Sequence, residues 1–246
     1  MPLATLRRQN LLELLRQHRG LSTKELARRL GVSEATVRRD LAALARQGLL
    51  QREHGGAIAP EAEPPYAEKL ARNREAKEAI AQRAALLVPD GATVVLDSGT
   101  TLLALARLLS GRPLRAIALD LPIAQALAQG ETEVLLVGGR VRNGFFSLVG
   151  PWAEELLGRV RADLFFLGAD AFDPEGVTNH TFEEAAVKRK AMEVSRKTVL
   201  LADGSKWGKR APAFVTPLSA LERVITDLED PTLEALIPVE VVHGAL

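Results

Sequence analysis

The sequence predicts an α/β protein in two parts: a small block of three helices and a hairpin, then a larger, mostly parallel sheet with helices on both faces. Charge is the first sign. Residues 1–58 carry 11 Lys+Arg against 5 Asp+Glu, whereas the remainder of the 246 residues carries 21 against 26. The second is a dense run of helix starts and stops in "LSTKELARRLGVSEATVRRDLAAL". The third is a series of short, continuous apolar runs alternating with helical stretches after residue 92, the pattern of strands buried on both faces.

In the first block, "RRQNLLELLRQH" (7–18) places Leu11, Leu14, Leu15 and His18 at helical spacing, with Gly20 as a stop. Ser22 and Glu25 form a capping box for a second helix, Leu21 can staple onto Leu26, and Gly31 ends that helix. Only "GVS" separates it from a third helix, capped by Ser33 and running to about Gln47, so the two must turn sharply. Val37, Leu41 and Leu44 make one stripe of the third helix, and Ala35, Arg39, Ala42 and Arg46 fall opposite, flanked by Thr36 and Arg38. A face of small residues, hydroxyls and guanidinium groups has the shape and chemistry to enter a DNA major groove. "GLLQREHGGAIA" then reads as a hairpin wing, with Arg52 and His54 placed to reach a backbone or minor groove. The other reading is a protein-docking module with a solvated basic face.

"APEAEPPYAEKLAR" (59–72) holds three prolines and no sustained apolar period, which reads as a linker. The next helix has Ala76, Ile80, Ala84 and Leu87 in step. The apolar runs are 93–97, 115–120, 133–139, 163–170, 198–203, 223–227 and 238–242, so the predicted organisation is a winged helix–turn–helix at 1–58, a linker at 59–72 and an α/β domain at 73–246. Ligands bind such sheets at the carboxyl ends of the strands. There "LDSGTT" ends a strand at Asp97, and Ser98, Gly99, Thr100 and Thr101 lead into a helix, where free N–H groups favour an anion or where a Ser/Thr side chain simply caps the helix. Gly138 and Gly139 make a second backbone-rich turn, either a ligand wall or a bare turn. Asp97, Asp120, Asp170, Asp203 and Asp227 each end or follow an apolar run, where a carboxylate can accept from sugar hydroxyls or cap the next helix. Lys188 has Glu184 at i−4, the spacing of a surface ion pair. Lys206 follows a strand end, where its ammonium can neutralise a phosphate; Trp207 beside it reads as packing.

The absence of cysteine removes disulfides and thiol chemistry. Four scattered histidines have no metal-ligand spacing, there is no Walker loop or GxGxxG, and no run suggests a secretory signal or a membrane span. We therefore expect a cytoplasmic protein with neither metal nor cofactor.

"ELARRLGVSEATVRRDLAALARQGLLQREHGGA" resembles the N-terminal signature of the DeoR family of bacterial transcription regulators, and "AKEAIAQRAALLVPDGATVVLDSGTT", "LVGGRV", "FLGADAF", "GVTNHTFEEAAVKRKAM" and "LLADGSKWG" resemble its later landmarks in order. The resemblance covers nearly the whole chain. It implies a DNA-binding regulator, usually a repressor, that responds to a sugar phosphate and acts as a homodimer or homotetramer. It also implies a C-terminal fold similar to ribose-5-phosphate isomerase and CoA-transferases. The duplex contacts expected are Ser22, Thr23, Ser33, Glu34, Thr36, Arg38, Arg39, Arg52 and His54. The effector contacts expected are Asp97, Ser98, Gly99, Thr100, Thr101, Asp120, Gly138, Gly139, Asp170, Lys188 and Lys206. Two departures stand out: Leu167 replaces the first Asp of the isomerases' "DGAD", which argues against retained catalysis, and "ALDLPIA" (118–124) lacks the family's usual polar residues before the Leu. The competing enzyme reading makes Glu183 or Glu184 the base of a sugar-phosphate isomerase, with Lys206 holding phosphate.

Overall fold

The computed structural model describes residues 3–18, 21–46, 50–53, 56–58 and 63–244. The chain divides into two compact units, Met1–Pro64 and Pro65–Leu246.

The first unit runs α1 (Leu3–His18), β1 (Leu21–Ser22), α2 (Thr23–Leu30), α3 (Glu34–Arg46), β2 (Gln51–Glu53) and β3 (Gly56–Ile58), with the strands paired in the order β1-β3-β2. Ser22 caps α2 by accepting the Glu25 N–H at 3.1 Å, and Gly31 ends it at φ 65, a left-handed conformation that glycine adopts without penalty. The core is made by Leu11, Leu15, Leu26, Val37, Leu41 and Leu44, all essentially buried, so the stripe expected on the third helix is the packed one. Below that stripe lies a tie that charge counting hides: Arg7 and Arg8 donate to Asp40 at 2.6 and 2.8 Å. Burial alone would push the Asp40 carboxyl up, but the two guanidinium groups hold it below its ordinary value.

The second unit begins with α4 (Tyr66–Ala71) and α5 (Arg74–Ala85). It continues with β4 (Thr93–Leu96), α6 (Thr100–Leu109), β5 (Arg115–Ala118), α7 (Leu121–Leu127), β6 (Glu133–Leu136), β7 (Arg140–Val141), β8 (Leu148–Val149) and α8 (Pro151–Gly158). Next come β9 (Ala162–Gly168), β10 (Ala171–Asp173), β11 (Gly176–Asn179), α9 (Phe182–Val194), β12 (Ser195–Leu201) and β13 (Ala213–Thr216). Last are β14 (Arg223–Thr226), α10 (Pro231–Glu234) and β15 (Val239–Val241). The seven apolar runs supply the seven strands of one parallel sheet, ordered β15-β14-β12-β9-β4-β5-β6. Alternation sorts their side chains to two cores. Val95, Ile117, Phe165 and Leu167 meet Ala153 and Leu157 of α8 and Ala185 and Ala191 of α9. Val94, Leu96, Ala116 and Phe166 meet Ile80 and Ala84 of α5, Leu102, Leu105 and Leu109 of α6, and Ile123 of α7.

Two features lie outside the sequence reading. The stretch read as a linker contains α4, which belongs to the second unit. Beyond the carboxyl ends of the main sheet lie small antiparallel sheets, β10-β11-β13 and β7-β8.

Candidate functional sites

In the first unit, α3 presents a usable outer face. Ser33 caps its start, its Oγ 3.3 Å from the Thr36 N–H and 3.0 Å from Thr36 Oγ1. Arg38 and Arg39 are exposed and Thr36 is half-buried, while Val37 and Asp40 between and beside them are buried. Arg38 leans on half-buried Glu34 at 2.9 Å, an exposed i,i+4 pair that a stronger anion can replace. Arg39 donates only to the Ala35 carbonyl, at 3.4 Å, and among the described residues it has no carboxylate partner. Ser22 is exposed but Thr23 is buried, which withdraws Thr23 from the face on which it was expected. Arg52 lies on β2; its side chain, and the whole of His54, lie outside the described residues.

In the second unit the strand ends gather a cluster of alternating charge. Asp97, one residue past β4, is buried and accepts from the Ser98 and Gly168 N–H groups, each at 2.8 Å. Lys188 of α9 pairs with it and also donates to the Gly168 carbonyl at 3.1 Å. The spacing-based pairing of Lys188 with Glu184 on a surface is thereby corrected: Lys188 is buried, and Asp97 is its partner. α9 packs against the main sheet, which brings the Lys188 side chain onto the buried carboxylate at the end of β4. Glu184 is itself buried, accepting from Ser147 at 2.7 Å and from Asn179 and Thr181 at 3.1 Å, and it pairs with Arg142 at 2.7 Å. Burial would raise its pKa, but Lys188 and Arg142 keep it low.

The "DSGTT" loop does not close with a side-chain cap. Gly99 is the N-cap of α6 at φ 117, and no side chain bonds the first turn. Its N–H turns instead to Asp120 Oδ2 at 3.4 Å. Thr100 and Thr101 are buried, and Thr100 Oγ1 is 3.4 Å from the Lys69 carbonyl. Asp120 caps α7 through the Ile123 N–H at 3.1 Å and is fully buried. Burial, reinforced by Asp97 and Glu184, pushes its pKa up to about 7 against the pull of its two backbone donors. The fold thus favours the protonated form. Its stabilising share is complete below the unfolded pKa near 4 and is lost as pH rises through about 7. The Asp120→Asn variant, permanently neutral, should therefore gain in melting temperature relative to the native chain as pH rises from 5 to 8, read by scanning fluorimetry; a difference independent of pH is the contrary result.

Asp170 receives Lys69 at 2.8 Å and the His180 N–H at 3.0 Å, with His180 Nδ1 2.9 Å away. Although burial opposes it, His180 and Lys69 hold this carboxyl well below its ordinary value. Lys206 donates to the Ala169 carbonyl, and burial lowers its pKa despite Asp203 and Asp170 nearby. Lys77 donates to the Lys69 and Arg72 carbonyls, and burial followed by repulsion from Lys206 takes it down to about 8. Gly138 and Gly139 are used differently: a Cβ there would meet Leu156, or Val149 and Ala153, so this turn packs against β8 and α8.

Sequence reasoning missed Lys69, Lys77, Arg142, Asn179 and His180. Only Lys77 left a sign, a lysine three residues before Ile80 on the buried side of α5.

Residues 7–63 match a DeoR-like helix-turn-helix domain, and residues 72–228 match the DeoR C terminal sensor domain. The chain belongs to the DeoR family. It is a transcription regulator with a helix-turn-helix and a sensor domain. Among its relatives, the HTH-type transcriptional regulator GlpR of Haloferax volcanii is 38% identical over 90% of this chain and 89% of that protein. The glycerol-3-phosphate regulon repressor of Escherichia coli (strain K12) is 34% identical over 92% of each. A solved ribose 5-phosphate isomerase A from Methanocaldococcus jannaschii overlaps this DeoR-family chain over 55% of each, at 19% identity and a TM-score of 0.42. No helix among the described residues is long and apolar enough to cross a membrane.

Proposed function

We propose that this DeoR-family regulator is a cytoplasmic repressor of sugar-metabolism genes that binds operator DNA as a homodimer or homotetramer and is controlled by a phosphorylated sugar. The observation that carries this reading is the outer face of α3, with Arg39 exposed opposite, and Arg38 exposed beside, a fully buried stripe. The two guanidinium groups contact phosphates or guanine edges, and Ser33, Glu34 and Thr36, with Ser22 and Arg52 at the flanks, help to read or position the duplex. One such helix reads few base pairs, so paired half-sites require more than one copy.

The effector belongs at the strand ends of the second unit. Lys69, Lys77 and Lys206 supply positive charge, the uncapped first turn of α6 supplies N–H donors, and Asp97, Asp120 and Asp170 supply acceptors for hydroxyls. A relative named for the glycerol-3-phosphate regulon supports a phosphorylated polyol or sugar. An enzymatic role fits less well. Glu183 is exposed and engaged by Arg140 at 2.6 Å, and Glu184 is saturated with donors and kept ionised, whereas a general base needs a free carboxylate with a raised pKa.

The test has two arms. Duplex recovered by selection from a randomised pool should bind with an affinity that falls steeply with salt. A flat response from folded protein overturns the DNA reading. In a thermal-shift panel of phosphorylated sugars, a true effector at 100 times its Kd stabilises the native state by about 2.7 kcal/mol. No shift across the panel overturns the effector reading.

A further inference from the structure

α4 is seated by polar bonds and not by burial. It is six residues long, too short to be stable alone, and it starts after Pro65 without a side-chain cap. None of its residues is buried, and its one leucine, Leu70, is 41% exposed. What holds it is the strand-end cluster. Lys69 reaches Asp170 at 2.8 Å, and the Lys69 carbonyl accepts from Lys77 and, at 3.4 Å, from Thr100 Oγ1. Lys77 also donates to the Arg72 carbonyl at 2.6 Å, and Asn73, just beyond α4, donates to Asp203 at 2.7 Å.

This seat is incomplete. Lys77 is buried and gives its N–H donors to two carbonyls; an ammonium has three donors, and the last has no partner among the described residues. Burial and then repulsion from Lys206 work against its charge, and Lys69 and Arg72 add to that repulsion. The Tyr66 hydroxyl is buried and has no hydrogen-bond partner among the described residues. It lies in the field of Asp120, whose carboxyl faces the Gly99 N–H at the start of α6, and burial pushes its pKa up to about 12, so it keeps a proton to donate. Crowded buried cations and an orphaned donor are costs that an anion among them removes.

We propose that α4 is the strap through which the effector acts: a phosphate at the strand ends locks it down, and the joint at Pro64–Pro65 passes its seating back along the chain to the DNA-binding unit. Tyr66 and Lys69 share a face of α4 and donate to the phosphate together with Lys77 and the first turn of α6. A segment held by few bonds is the kind that a ligand orders. Consecutive prolines make a stiff joint, and Pro65 is extended at φ −51, ψ 147. Such a joint transmits a change in α4 that a flexible one absorbs.

This inference rests on the effector reading above and is tested apart from it. The probes are glycerol 3-phosphate, ribose 5-phosphate and glucose 6-phosphate, each with the full chain. For a probe that raises the melting temperature, hydrogen exchange of the α4 amides should slow about tenfold or more, while exchange in α8 stays the same. Tyr66→Phe, which keeps the ring against Phe146, should lose most of that slowing. Pro64→Gly/Pro65→Gly should keep both the binding and the slowing. In anisotropy with labelled duplex, the probe should change the native Kd about fivefold or more and that of the glycine variant less than about twofold. A probe that binds while α4 exchanges as before, or a glycine variant with full coupling, overturns the inference and leaves the effector reading standing. A panel that leaves the native melt unchanged overturns both.

Discussion

Replacing Lys188 with Met should lower the melting temperature of the second unit by about 10 °C. Asp97 and Lys188 are both buried, and the carboxylate's remaining partners are two backbone N–H groups. Removing the cation strands a charge away from water, which costs about 3–5 kcal/mol, or roughly 2–4 °C per kcal/mol for a domain of this size. The sharper form of the prediction is the double variant. Asp97→Asn/Lys188→Met removes both charges and keeps an acceptor oxygen for one of the two N–H groups, which bond different carboxylate oxygens, so it should recover part of the loss. If the double variant is as unstable as Lys188→Met, the cost lies in lost packing and not in the unpaired carboxylate. Calorimetry resolves the two, provided the melt of each unit is followed separately.

The second large effect concerns DNA. Arg38→Ala/Arg39→Ala should weaken duplex binding about a hundredfold or more at fixed salt, with the fold unchanged. Both side chains are exposed, and their structural bonds are modest: an exposed pair with Glu34 and a single long bond to a carbonyl. Little stability is lost with them, whereas each removes a fixed cation from the face that meets the duplex. Fluorescence anisotropy with labelled DNA measures the change, and Lys24→Ala, at an exposed position of α2, is the comparison for simple loss of charge. Equal weakening by Lys24→Ala and by the double variant would mean that α3 has no special place in recognition.

The parts legible in the sequence were those whose physics is local. A strand buried on both faces must be apolar throughout, so the inner strands of the main sheet stood out as continuous runs, while the edge strands β6 and β15, the latter carrying Glu240, stood out by apolar content and spacing. Ser22, Ser33 and Gly31 mark helix ends because their bonds lie within a few residues. What was hidden depends on distant partners. α4 follows Pro64 and Pro65 with no apolar period, and its anchors are Asp170 to Lys69 and Phe146 to Tyr66, whose rings meet edge to face with centroids 5.2 Å apart. Lys188 looked like half of an i,i+4 pair, yet its partner stands 91 positions away. β11 was invisible because its buried residues include Thr178 and Asn179, polar groups whose hydrogen bonds to Ala171, Ala211 and Glu184 form only in the folded chain.

The tie from Arg7 and Arg8 to Asp40 has a consequence for how any outward reading surface is aimed. Asp40 sits in the middle of α3, so the pair of guanidinium groups acts as a stop against rolling of that helix about its own axis. The angular setting of its outer side chains is thus decided by residues on α1 that stand behind it. A chain lacking both arginines would keep every group on that outer surface yet present them at the wrong angle.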